Sequence, residues 1–180
     1  MRIIGLAIIV FCSSAVCAIA DPVTFTDEVH HVSFAYDVER WKPSPKKGGS
    51  QVLHTVVWTD LGGKILATCK LQAAEMDHAR GVHASKSILT DAMLMVLRER
   101  EPKVELVSST EARADSLEAL HNVWRVPGPE SPILIDGMLT YRGTTMINLD
   151  CMYPESPIAD DTHGITREIA AILGSLKIER

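Results

Sequence analysis

The stretch PILIDGMLTY (132–141), RG (142–143) and TTMINLDCM (144–152) decides the fold. Both arms are rich in β-branched and large apolar residues, and both alternate apolar with polar. A short Gly-containing turn between two such arms predicts an antiparallel hairpin. A half-apolar sheet must bury one face, so the sequence on either side is read for what covers it.

On the C-terminal side, Tyr153 to Pro157 is a loop. A helix is predicted from about Thr162 to Leu176, with Asp160, Asp161 or Thr162 as cap. Ile165, Ile169, Ile172, Leu173 and Leu176 form its apolar stripe. On the N-terminal side, Leu117–Val126 reads two ways. Leu117, Leu120 and Trp124 fit a helix, whereas Leu120, Asn122, Trp124 and Val126 fit a strand. The strand is preferred because Pro127-Gly128-Pro129 ends the segment as a turn. Lys103–Ser109 is a short strand carrying Val104 and Leu106. Before it, Ile88, Leu89, Ala92, Met93, Val96 and Leu97 predict a first helix, capped by Ser85 or Ser87 and ended by Pro102.

Further back, Gln51–Thr59 and Lys64–Ala73 form a hairpin around Leu61-Gly62-Gly63, with Ile65, Ala67, Cys69 and Leu71 on one face. Lys42–Ser50 is a Pro- and Gly-rich loop. Val32, Phe34 and Tyr36 alternate as a strand that runs into a turn of helix over Asp37–Trp41. The order β, ββ, α, β, β, ββ, α predicts an α+β sandwich, an antiparallel sheet with two main helices packed on it.

Arg2, the apolar run Ile3–Cys12 and Ala18-Ile19-Ala20 have the layout of a secretory leader, with cleavage expected after Ala20. The run is short for a transmembrane span, and none is expected after cleavage. Residues 21–180 are then expected to form a single α+β domain. Cys17 follows Val16, where a lipobox needs a small residue, so lipidation is disfavoured. The remaining chain has 17 Lys and Arg against 23 Asp and Glu and no basic block. That balance argues against nucleic acid and against docking on an anionic membrane. Cys69 and Cys151 are left as one pair, expected to be bridged in an oxidising compartment; the alternative is two buried thiols.

Taken together, "VSFAYDVERW" (32–41), "SILTDAMLMVLRERE" (87–101), the late hairpin and the closing helix "GITREIAAILGSLKI" (164–178) resemble the PsbP-like superfamily, including the DcrB-like periplasmic proteins. The Ser175-Leu176 pair matches that group's way of ending its last helix. The resemblance implies a sandwich that serves as an extrinsic subunit, adaptor or chaperone-like binder. It carries no catalytic signature to this chain.

The chemistry-bearing residues are sparse. His78 and His83 flank four residues in a polar loop beside Asp77, a speculative metal site without a recognised zinc spacing. His30-His31 and His163 read as surface histidines, and His54 and His121 as half-buried strand residues. Ser108 and Ser109 sit at an expected strand end, without a G-x-S-x-G elbow. Asp160-Asp161 and Asp27-Glu28 are adjacent acids, not carboxylates facing each other across a cleft. Neither a phosphate loop nor a dinucleotide turn is present, so no catalytic residue and no cofactor is assigned. The expected role is non-enzymatic binding of an envelope protein partner or small ligand. The contact surface would be the uncovered sheet face, or the loops Lys42–Ser50 and Asp77–Ala84. The alternative is a metal-binding periplasmic protein using His78, His83 and nearby acids.

Overall fold

A computed structural model of the chain describes residues 21–45, 49–77, 103–155 and 164–179. Strands dominate. A small sheet joins β1 (Val23–Asp27), β2 (Val32–Tyr36) and β10 (Lys177–Ile178) in the order β1-β2-β10. A seven-stranded sheet contains β3 (Trp41–Pro43), β4 (Val52–Thr59), β5 (Ile65–Glu75), β6 (Glu105–Ala114), β7 (Leu117–Val126), β8 (Ile133–Arg142) and β9 (Thr145–Pro154). Its order is β3-β4-β5-β9-β8-β7-β6, and every paired neighbour is antiparallel. Helix α1 (Ile165–Gly174) lies between β9 and β10 in the chain.

The late hairpin forms as its pattern predicts. Arg142 pairs with Thr145 across a two-residue turn, where Gly143 takes φ 61°. The inner face of the large sheet presents Val56, Ala67, Cys69, Leu71, Met138, Ile147, Leu149 and Cys151. Val32 and Phe34 of the small sheet meet this face, together with the stripe Ile165, Ile169, Ile172, Leu173 and Leu176. Phe34, Leu71, Leu149 and Ile169 are fully buried, each contributing about 1.5–3 kcal/mol by leaving water.

The Ser175-Leu176 pair has a physical role here. Ser175 Oγ accepts the Ala35 backbone N–H at 2.8 Å, tying the end of α1 to β2. Leu176 is buried beside it. At the other end of α1, Glu168 sits in the first turn, where its charge complements the helix dipole. It accepts from Arg40 at 2.6 Å, and the Arg40 guanidinium lies 5.5 Å from the Trp58 ring.

Several expectations need correction. Two helices packed on the sheet are not borne out among the described residues, which hold one helix. The expected first helix falls within 78–102, outside them. Helix α1 starts at Ile165 rather than Thr162, and its N-cap is Gly164 in the left-handed region, without a side-chain cap. Asp37–Arg40 makes a single turn, closed by Trp41 N–H donating to Asp37 O at 2.8 Å. The chain then extends as β3 instead of entering a loop. Strand β1 was not anticipated. Ile65 is exposed, unlike Ala67, Cys69 and Leu71. The irregularity between Trp58 and Thr59 shifts the register there.

Strand β6 runs on to Ala114, so Ser108 and Ser109 lie within a strand and not at its end. A two-residue turn, Asp115-Ser116, joins it to β7, with Asp115 at φ 54°. Leu117–Val126 is a strand, as preferred.

Candidate functional site: a polar row across the outer sheet face

The antiparallel register sets one polar row across six strands. Ser109 on β6 faces Asn122 on β7, which faces Gly137 on β8, which faces Asp150 on β9. Asp150 in turn faces Lys70 on β5, and Lys70 faces Thr55 on β4. Alternation puts these residues on the face opposite the main core, since their neighbours Leu149, Cys151 and Met138 point inward. Leu120, Leu139 and Tyr141 form a second, smaller apolar cluster, with Met146 packed against it.

A cavity of about 40 Å³ opens in the middle of this row. Asn122, Gly137, Asn148 and Asp150 line it, with Trp124, Leu139 and Met146 supplying apolar wall. Gly137 makes room for the carboxylate, because a β-carbon there would lie 2.2 Å from Asp150 Oδ1. Asn148 Nδ2 donates to Asp150 Oδ2 at 2.5 Å and orients the group. Burial pushes the Asp150 carboxyl up to about 6. The hydrogen bond from Asn148 and the charge of Lys70 oppose that rise, and Asp136 adds to it. Asp150 retains some accessible surface as a residue because it lines the cavity. Asn122 is buried, and its Oδ1 has no hydrogen-bond partner. Thr55 Oγ1 and Ser109 Oγ in the same row are also buried and unpartnered. Unpaired buried polar atoms cost free energy, so the open Asn122 acceptor beside the cavity would gain from a donor entering it.

A second concavity lies at one end of the sheet. The β4–β5 turn, the β7–β8 loop and the end of β9 border a groove of about 640 Å³. Ile65, Leu66, Ile133 and Pro154 give it apolar surface, and Lys64 bridges to Glu130 across it at 3.2 Å. Ile65 is exposed, as is Leu61 at the tip of the turn. Beside it, Arg125 is held by Glu155 and Glu105, which keep its guanidinium charged.

The residues singled out from sequence lie elsewhere. Cys69 and Cys151 are register partners on β5 and β9 and are joined by a disulfide, with Cα atoms 4.0 Å apart. Both are fully buried, which excludes Cys69 as a nucleophile. His78 and His83 lie outside the described residues, and Asp77 is exposed. Among the described residues no group of three or more His, Cys, Asp or Glu is placed to hold a metal ion. His163, Asp160 and Asp161 also lie outside them. His30 pairs with Asp27 at 2.8 Å, and His121 with Asp136 at 2.5 Å on the inner-face side of β7 and β8. His54 is half-buried and stacks on Phe25, with ring centroids 4.1 Å apart. Of the two loops expected to form a contact surface, Lys42–Ser50 begins as β3, and only Asp77 of Asp77–Ala84 is described.

Sequence reasoning missed Asn122, Gly137, Asn148 and Asp150 as a site. Two signals were present. Asn148 and Asp150 are polar at i and i+2 in a strand whose other face carries Ile147, Leu149 and Cys151, and a glycine in a strand interior marks close approach.

Among the described residues no helix is long and apolar enough to cross a membrane. No family model matches the sequence, and no curated protein matches it either. Solved structures do match by fold. Cyanobacterial PsbP (CyanoP) from Synechocystis superposes with a TM-score of 0.65 at 16% identity, covering 94% of this chain and 99% of that one. The Ran-binding protein Mog1p of Saccharomyces cerevisiae gives 0.60 at 5% identity, covering 88% and 95%. LpqN of Mycobacterium tuberculosis, described as involved in cell envelope biogenesis, gives 0.54 at 9% identity, covering 89% and 86%. A Bacteroides thetaiotaomicron protein also matches, with a TM-score of 0.57 at 11% identity, over 87% of this chain; the chain spans only 48% of its length. The architecture seen here, a strand-dominated sandwich closed by a C-terminal helix, is the PsbP-like fold.

Proposed function

We propose that the protein is an exported, non-enzymatic binding or accessory protein of the bacterial cell envelope, its leader removed after Ala20. The observation that carries this reading is the open groove at the sheet end, where Ile65 stands exposed beside the Lys64–Glu130 bridge and Leu61 stands exposed on the adjoining β4–β5 turn. Exposed apolar residues rimmed by charge suit contact with another protein. The fold supports the reading by analogy, since one structure sharing it is a Ran-binding protein and another is involved in envelope biogenesis. The buried Cys69–Cys151 bridge fits an oxidising compartment.

The test is in-cell crosslinking of the exported chain bearing a C-terminal tag, with the envelope fraction analysed by mass spectrometry. A reproducible partner that is lost in a Leu61→Glu, Ile65→Glu variant of unchanged melting temperature supports the proposal. The same capture by the variant, or a chain that stays in the cytoplasm with its leader intact, overturns it.

A further inference from the structure

We infer that the cavity between β7, β8 and β9 is a binding site for a primary ammonium group. The site lies on the sheet face away from the main core and is separate from the groove at the sheet end. Its failure would leave the groove untouched, and the converse also holds.

Three observations carry the inference. First, the cavity has an anionic end that is held in place. Asp150 Oδ2 accepts from Asn148 Nδ2 at 2.5 Å, and Gly137 leaves the space in which Oδ1 sits. Lys70, the register partner on β5, favours the Asp150 charge through space without a hydrogen bond to it. Second, Asn122 lines the same cavity from β7, is nine-tenths buried, and has an Oδ1 that receives no hydrogen bond. A donor entering here satisfies an acceptor that the fold leaves open. Third, among the described residues the remaining wall is Trp124, Leu139 and Met146. An aromatic ring beside a carboxylate suits a cation carrying a short apolar stem.

Size selects further. A water needs roughly 10–15 Å³ of such space, so a cavity of about 40 Å³ takes about three water-sized groups. That accommodates an ammonium head and one or two carbons. Three N–H donors on one head match the acceptors at Asp150 and Asn122 better than a spherical ion does. The head has two sources, a free small amine or the end of a lysine side chain of another protein.

The experiment is an amide NMR titration of the whole exported chain with methylammonium chloride, with potassium chloride at equal ionic strength, and with an N-acetylated lysine amide. Saturable shifts at Gly137, Asn148 and Asp150 over the millimolar range are expected for methylammonium and not for potassium. Asp150→Asn and Asn122→Ala are each expected to weaken binding at least about tenfold. Should Asp150→Asn fail to fold, Asn122→Ala carries the test alone. Tighter binding of the lysine amide assigns the site to a protein side chain, and tighter binding of methylammonium assigns it to a free amine. Absence of saturable shifts, equal shifts with potassium, or wild-type binding by both variants overturns the inference.

Discussion

Gly137 stands directly opposite Asp150, and the carboxylate occupies the place a side chain at 137 would need. The pair explains why a strand with no exposed residue has a glycine at its centre. Gly137→Ala would set a methyl group 2.2 Å from Asp150 Oδ1, while Asn148 resists the carboxylate's retreat. A loss of about 1–2 kcal/mol is expected in urea denaturation. Asp150→Ala in the same background should recover most of it.

Asp150 also makes a pH prediction. Burial raises its carboxyl from 3.8 to about 6, so between those values the folded chain holds a proton that the unfolded chain releases. Folding is therefore favoured at the acid end of this window. The Asp150 contribution weakens as pH rises from about 4 to about 6, by roughly 3 kcal/mol in all. Asp150→Asn should remove this slope. The difference in denaturation free energy between wild type and variant, taken at pH 4 and at pH 7, isolates it from the exposed acids. Equal differences at the two pH values would contradict the assignment.

The bridge between β5 and β9 closes a loop of 82 residues. Loop-closure entropy for that length gives about 4.5 kcal/mol of stabilisation on the chain-entropy account. Unfolding with and without reductant should differ by an amount of this order, and the non-reduced chain should weigh two protons less than the reduced one. Cys69→Ala, Cys151→Ala should match the reduced wild type.

Ser175 fastens the end of α1 to β2 through the Ala35 amide. Ser175→Ala leaves that half-buried N–H without its acceptor and should cost about 1 kcal/mol. A change within a few tenths of zero would show that water replaces the bond.

The legibility of the fold followed the burial of its elements. The β8–β9 hairpin and the stripe of α1 were readable because their partners are all apolar: Ile147, Leu149 and Cys151 on one side, Ile169 and Ile172 on the other. Strand β6 was read too short. It is an edge strand whose Ser108, Ser109, Thr110, Glu111 and Arg113 show no apolar alternation, and Asp115-Ser116 turns the chain without glycine or proline. Strand β1 was invisible for a similar reason, being largely exposed. The N-cap was misplaced because Gly164 performs it through backbone conformation, with no side-chain oxygen. The polar row is assembled by register across six strands that span Thr55 to Asp150. No local window contains it, and only the polar spacing of Asn148 and Asp150 hinted at it.

Binding of an envelope partner through the groove can be read by site-specific photocrosslinking in cells. A photoreactive residue in place of Ile65 samples the groove, and one in place of the exposed Glu118 samples the far end of the sheet. A discrete adduct with one envelope protein is expected from position 65 and none from 118. Equal, diffuse labelling from both positions, or no adduct from position 65, would contradict it.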